Sequence, residues 1–137
     1  MVDMTASPGT PGLQRVLYVD DDPMLRALVR LLLEKMGGLV VEDGGDPERV
    51  VSQARAFGPD VILLDVNLPG QAGTDVLASL RAEPDLRSVP VIFVTAGAGP
   101  EDEARYCALG AAGVIAKPFS PATLLARVRA LWQQGTG

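Results

Sequence analysis

The sequence has no histidine and a single cysteine, Cys107. Without an imidazole, Ser-His-Asp and Cys-His nucleophile systems, His-ligated zinc and a phosphohistidine carrier role are all excluded within this chain. One thiol excludes an intramolecular disulfide and any CxxC site, which fits a reducing compartment. Because no second thiol could resolve an oxidised Cys107, that residue is expected to be a small core side chain rather than a redox sensor. No basic residue precedes Arg15 and no long apolar run follows it, so the pattern of a signal peptide is missing. No uninterrupted apolar stretch exceeds five residues, far short of a membrane span. A cytoplasmic protein without a membrane partner is expected. Twelve Lys and Arg against 17 Asp and Glu leave a net charge of -5, which disfavours direct nucleic-acid binding.

What remains is a chain of 137 residues, 47% hydrophobic, long enough for one domain with a sizeable core. Residues 1–14, opening on the small, Gly- and Pro-rich MVDMTASPGTPG, read as a disordered lead-in, 15–132 as the domain and 133–137 as a frayed end. Within the domain, apolar runs recur at Val16–Val19, Leu39–Val41, Val61–Leu64, Val91–Val94 and Val114–Ala116. They do not alternate with polar residues, as expected of strands buried on both faces. Helical patterns fill the intervals. Asp22-Pro23, Asp46-Pro47 and Ser120-Pro121 each offer a cap followed by a proline at the first helical position, and Gly37-Gly38 closes the first helix. Five strand-helix pairs in strict alternation predict an α/β fold, a doubly wound (βα)5 domain with a five-stranded parallel sheet covered on both sides.

In such a sheet, ligands bind outside the carboxyl ends of the strands. The first strand ends in Asp20-Asp21-Asp22, the third in Asp65, the fourth in Thr95 and the fifth in Lys117. Asp22 is accounted for as a helix cap. The other carboxylates crowd one edge and repel unless cations neutralise them. Lys117 supplies one charge, and an all-oxygen donor set favours a hard divalent ion such as Mg2+ for the rest. A carboxylate, an ammonium, a hydroxyl and such an ion suit phosphoryl transfer, with Asp65 attacking in line.

The segments VLYVDDDP at 16–23, ILLDVNLPGQAG at 62–73, VIFVTA at 91–96 and AAGVIAKPF at 111–119 carry a family resemblance. Asp21 and Asp65 are 44 residues apart, Asp65 and Thr95 30, and Thr95 and Lys117 22. In segments and spacings together, residues 15–132 resemble the receiver domain of two-component response regulators, of the stand-alone CheY-like kind, which implies the flavodoxin- and CheY-like strand order 2-1-3-4-5. The resemblance implies that Asp65 is the phosphoacceptor, served by a sensor histidine kinase or a histidine phosphotransfer protein. It implies Mg2+ held by Asp20, Asp21, Asp65 and the backbone carbonyl of Asn67. Lys117 then pairs with the phosphate, Thr95 hydrogen-bonds it, and the Lys117-Pro118 bond is cis. Self-phosphotransfer and slow dephosphorylation are the only catalysis implied. The output would pass to a downstream protein or through phosphorylation-dependent dimerisation.

Two departures stand out. Val114 occupies the switch position, where many receivers carry an aromatic ring, so a ring cannot follow the threonine there. Ala72 stands where an acidic residue is common, although Gly73 is kept. The charge is also uneven: no Asp or Glu follows Glu103, leaving the last 34 residues at +4 and the first 103 at -9. This suggests an acidic partner or a self-association surface near Arg127 and Arg129, against the plainer reading of a solvated helix end. Three rivals keep a place. A receiver-shaped interaction module that is never phosphorylated would share every strand. A haloacid-dehalogenase-like phosphatase is imitated by Asp20-x-Asp22, Thr95 and Lys117, but nothing acidic follows Lys117 to complete its metal site. A flavin mononucleotide carrier would be repelled by three aspartates at its phosphate loop.

Overall fold

The computed structural model describes residues 12–68, 70–96 and 99–136. The elements run β1 (Arg15–Val19), α1 (Pro23–Gly37), β2 (Val40–Gly44), a 3-10 turn (Pro47–Arg49), α2 (Val50–Phe57), β3 (Val61–Asp65), β4 (Asn67–Leu68), β5 (Gln71–Ala72), α3 (Gly73–Ala82), β6 (Val91–Thr95), α4 (Pro100–Ala108), β7 (Gly113–Ala116) and α5 (Pro121–Thr136). Five strands form one parallel sheet in the order β2-β1-β3-β6-β7. Setting aside the two-residue arms β4 and β5, this is the expected 2-1-3-4-5 order. β4 and β5 pair antiparallel in a small hairpin directly after β3.

β1, β3 and β6 are paired on both sides, and their apolar runs are buried almost throughout. Alternate residues of β1 feed two cores. Val16 and Tyr18 join Val29 and Leu33 of α1 and Leu124 and Val128 of α5 on one face. Leu17 and Val19 join Val50, Leu77 and Tyr106, from α2, α3 and α4, on the other. Helix ends follow the local chemistry. The Asp22 side chain accepts from the N–H groups of Met24 and Leu25, and the Ser120 hydroxyl accepts from Thr123 N. Gly38 takes the left-handed conformation (φ 65°) that ends α1.

Three expectations need correction. The lead-in to residue 14 is too long. Leu13 is 5% exposed within the core, and the N–H groups of Gln14 and Arg15 both donate to Asp60 Oδ2 at 2.8 Å. Leu13 is the one large apolar side chain between the opening segment and β1, and its burial draws the chain onto the domain; residues 1–11 lie outside the described residues. At the other end, α5 continues to Thr136, with no proline or β-branched run before it to stop the helix. Cys107 is exposed rather than core. α4 buries only Tyr106, whose ring packs tilted against Phe93 with centroids 5.0 Å apart and leaves the neighbouring position facing out.

Candidate functional site

The chain leaves β1 toward β2 on one side and returns to β3 on the other, so the carboxyl ends of β1 and β3 flank the reversal point of the sheet. Val19 is in register with Leu64, which sets Asp20 beside Asp65 on adjacent strand ends. One oxygen each of Asp20, Asp21 and Asp65 lie within 4.8 Å of one another. Asp20 and Asp65 are buried and Asp21 is exposed, a gradient from sheet to solvent. Thr95, at the end of β6, is also buried. Its carbonyl accepts from Lys117 N at 2.9 Å, which couples β6 to the segment after β7. The Lys117-Pro118 peptide is cis, as expected.

Lys117 Nζ donates to Asp20 Oδ2 at 2.8 Å and to Asp65 Oδ2 at 3.4 Å. Asp65 Oδ1 accepts from Asn67 N at 3.0 Å. Asp20 is held more fully: Oδ2 also accepts from the Tyr18 hydroxyl at 2.8 Å, and Oδ1 from Asp22 N at 2.9 Å. The electrostatics follow these counts. Burial pushes the Asp65 carboxyl up, and Asn67 N–H with Lys117 only partly offsets it, so Asp65 sits above the ordinary range. Burial works against Asp20 as well, but the hydrogen bonds from Lys117, Asp22 N and Tyr18 outweigh it and hold Asp20 below that range. Burial alone would lower Lys117, and the hydrogen bond to Asp20 and the charges of both carboxylates raise it. The lysine therefore stays charged at neutral pH.

Three all-oxygen side chains of graded exposure suit a hard divalent cation, and Asp21 and Asn67 line one open cleft at this edge. Asp22 is outside this cluster and its Oδ1 caps α1, which leaves the Asp20-x-Asp22 pair of the phosphatase reading without support. The structure thus brings Asp20, Asp21, Asp65, Asn67, Thr95 and Lys117 to one edge. Val114 lies farther along β7, buried at 4% and in register with Phe93. Its carbonyl accepts from Arg127 Nη2 at 3.0 Å, and Arg127 also pairs with Glu103 of α4 at 3.5 Å. Arg127 is therefore engaged within the domain rather than projecting as free positive charge.

Two supporting residues, Tyr18 and Arg26, escaped the sequence reading, and a third, Gly73, was noted there without its structural reason. Tyr18 looked like one more apolar strand residue. The signal was its spacing: residues i and i+2 of a strand share a face, so its hydroxyl reaches Asp20. Arg26 donates from Nη1 to the Asp20 carbonyl at 2.7 Å and from Nε to Asp43 at 3.0 Å, tying the β1 end to β2. Gly73 N donates to Val66 O at 2.7 Å, and a Cβ there would lie 2.6 Å from the Asp65 carbonyl oxygen and 2.8 Å from Val66 Cα. Only glycine lets α3 begin so close to the turn that follows Asp65.

Residues 16–129 match the family model described as the response regulator receiver domain. The chain belongs to that family. Among curated relatives, the receiver is 38% identical over 121 residues to the phosphate regulon transcriptional regulatory protein PhoB of Escherichia coli, covering 88% of this chain and 52% of that protein. It is 43% identical over 122 residues to the sensory transduction protein RegX3 of Mycobacterium tuberculosis, covering 88% and 51%. The chain thus spans about half the length of these relatives. Among solved structures, chemotaxis protein CheY4 of Vibrio cholerae matches with a TM-score of 0.80 at 31% identity, covering 88% of this chain and 99% of that one. The BeF3-activated N-terminal receiver domain of Klebsiella pneumoniae RstA matches with a TM-score of 0.77 at 28% identity, covering 88% and 99%.

Proposed function

We propose that this receiver accepts a phosphoryl group on Asp65 from the phosphohistidine of a sensor histidine kinase or a histidine phosphotransfer protein, in a Mg2+-dependent reaction, and that the modification switches a surface read by a downstream protein. The observation that carries this reading is the buried Asp65 carboxylate, bonded to Asn67 N–H on one oxygen and to the Lys117 ammonium on the other, with Asp20 and Asp21 beside it. An Asp65 oxygen forms the new P–O bond as the P–N bond to the donor imidazole breaks, and the electron pair of that bond returns to the imidazole. In this reading Lys117 moves from the carboxylate to the arriving phosphoryl oxygens, and Thr95 donates its hydroxyl to them. Asp20, Asp21, Asp65 and the Asn67 carbonyl would hold Mg2+, which offsets phosphoryl charge when bound.

The role is that of a switch rather than a turnover enzyme, with self-phosphotransfer and autodephosphorylation as its only catalysis. PhoB is named a transcriptional regulator, and the MtrA relative of Mycolicibacterium smegmatis, 38% identical over 117 residues, a DNA-binding one. For this chain, at net charge -5, we favour output through a protein partner or phosphorylation-dependent dimerisation over direct nucleic-acid contact. Among the described residues, no helix is long and apolar enough to cross a membrane, and a cytoplasmic setting fits the reading. Val114 favours one second reading, an interaction module indifferent to phosphorylation. Intact mass after incubation with acetyl phosphate, with Mg2+ or with chelator, separates the two. One added phosphoryl group that needs both Mg2+ and Asp65 is expected. No addition from acetyl phosphate or from any phosphohistidine donor would favour the module.

A further inference from the structure

Tyr18 is wholly buried, and its hydroxyl is spent on a residue of the site. A hydroxyl taken out of water needs a partner, and Tyr18 finds it in Asp20 Oδ2, the oxygen that also receives Lys117. The two donors differ in kind. Lys117 ends a flexible four-carbon stem after the edge strand β7 and is shared between two carboxylates. Tyr18 is a ring locked in the core, on a strand paired on both sides. If Lys117 follows the phosphoryl group on Asp65, Asp20 Oδ2 keeps one side-chain donor, Tyr18, while Asp22 N–H remains on Oδ1.

We propose that Tyr18 is a positioning residue that keeps the Asp20 carboxylate aimed into the metal site after Lys117 has turned to the phosphoryl group. The inference rests on the phosphoacceptor reading above and adds to it a division of labour. The mobile cation serves the phosphate, and the fixed phenol serves the metal ligand. Asp20 is doubly tethered at Oδ2 in the resting domain and singly tethered in the modified one.

The test is Tyr18→Phe, which keeps the ring and removes only the hydroxyl. Mg2+ affinity is measured by calorimetry with and without beryllofluoride as the phosphoryl stand-in. With beryllofluoride, the variant should bind Mg2+ roughly tenfold more weakly than wild type, the scale of one lost hydrogen bond to a charged group. Without it, Lys117 still holds Asp20 and the loss should be no more than about threefold. Equal losses in both states, or none in either, overturn the positioning role, since a mere packing defect does not distinguish them. Should Tyr18→Phe fail to fold, the Tyr18 13Cζ resonance in the unsubstituted chain decides. It should keep its hydrogen-bonded position when Mg2+ and beryllofluoride are added, and a move to the free-phenol position overturns the proposal. A wild-type chain that takes up neither beryllofluoride nor phosphoryl overturns the underlying reading, and the positioning role with it. That failure is distinguishable because it appears without any substitution.

Discussion

The ends of β1 and β3 present two buried aspartates that share one lysine and yet are pushed in opposite directions. Asp20 receives hydrogen bonds from Lys117, Tyr18 and Asp22 N and is held low. Asp65 receives Asn67 N and the longer of the two contacts from Lys117, and burial carries it up. Both lie at the same edge of the sheet at comparable depth, so donor number decides the difference. A carboxylate held by three donors is an anchor that still has a lone pair to offer a cation. One that is under-supplied and desolvated keeps nucleophilic capacity and has the more to gain from an arriving cation or a covalent bond.

The largest expected effect removes the reactive member. Asp65→Asn should take up no phosphoryl group from acetyl phosphate under conditions that modify the wild type, read by intact mass. Lys117→Ala strips the shared partner from both carboxylates and should slow phosphoryl uptake roughly 100-fold, the scale of losing one charge-stabilising donor; single-turnover mass kinetics measure it. Gly73→Ala presses on the β3 end alone, because its Cβ meets backbone atoms of Asp65 and Val66. It should cost about 1–3 kcal/mol in urea unfolding. Arg26→Ala loosens the β1 end by freeing the Asp20 carbonyl and leaving Asp43 to Arg30, at about 1 kcal/mol in the same assay.

The comparison is sharpest in pH dependence with chelator present. Asp65 has a raised folded pKa, so the folded state binds the extra proton between its unfolded and folded values, and its charge costs stability above that window. Asp65→Asn should therefore be more stable than wild type at pH 7, with the gap closing as pH falls through the raised pKa. Asp20 has a depressed folded pKa and contributes stability above its unfolded value, lost as pH falls through the folded one. Asp20→Asn should be less stable at pH 7, with that gap closing at lower pH. Urea midpoints between pH 3 and pH 7 read both. Shifts of the same sign would break the contrast between the two carboxylates.

The strand-end residues Asp20, Asp21, Asp65, Thr95 and Lys117 were legible because parallel strands buried on both faces read as unbroken apolar runs. The first polar residue after each run then marks the functional edge. Tyr18 was hidden inside such a run, where period-2 geometry rather than residue type carried the information. Arg26 was hidden because its partners are a carbonyl and a side chain from another strand, which no local pattern records. The β4–β5 hairpin spans too few residues to show alternation. Cys107 was misplaced because composition says small thiols are usually buried, whereas α4 spends its single buried position on Tyr106. Leu13 was absorbed into a Gly- and Pro-rich stretch whose average composition concealed one anchoring side chain.

The outward-facing Cys107 has a practical consequence. It is the only thiol in the chain, and it sits on α4, the helix that follows the strand ending in Thr95. A maleimide fluorophore or spin label therefore attaches at one place, with no cysteine to add or remove. It lies next to Tyr106, whose ring packs on Phe93 of that same strand. The chain thus carries a single-site reporter on the helix that follows Thr95.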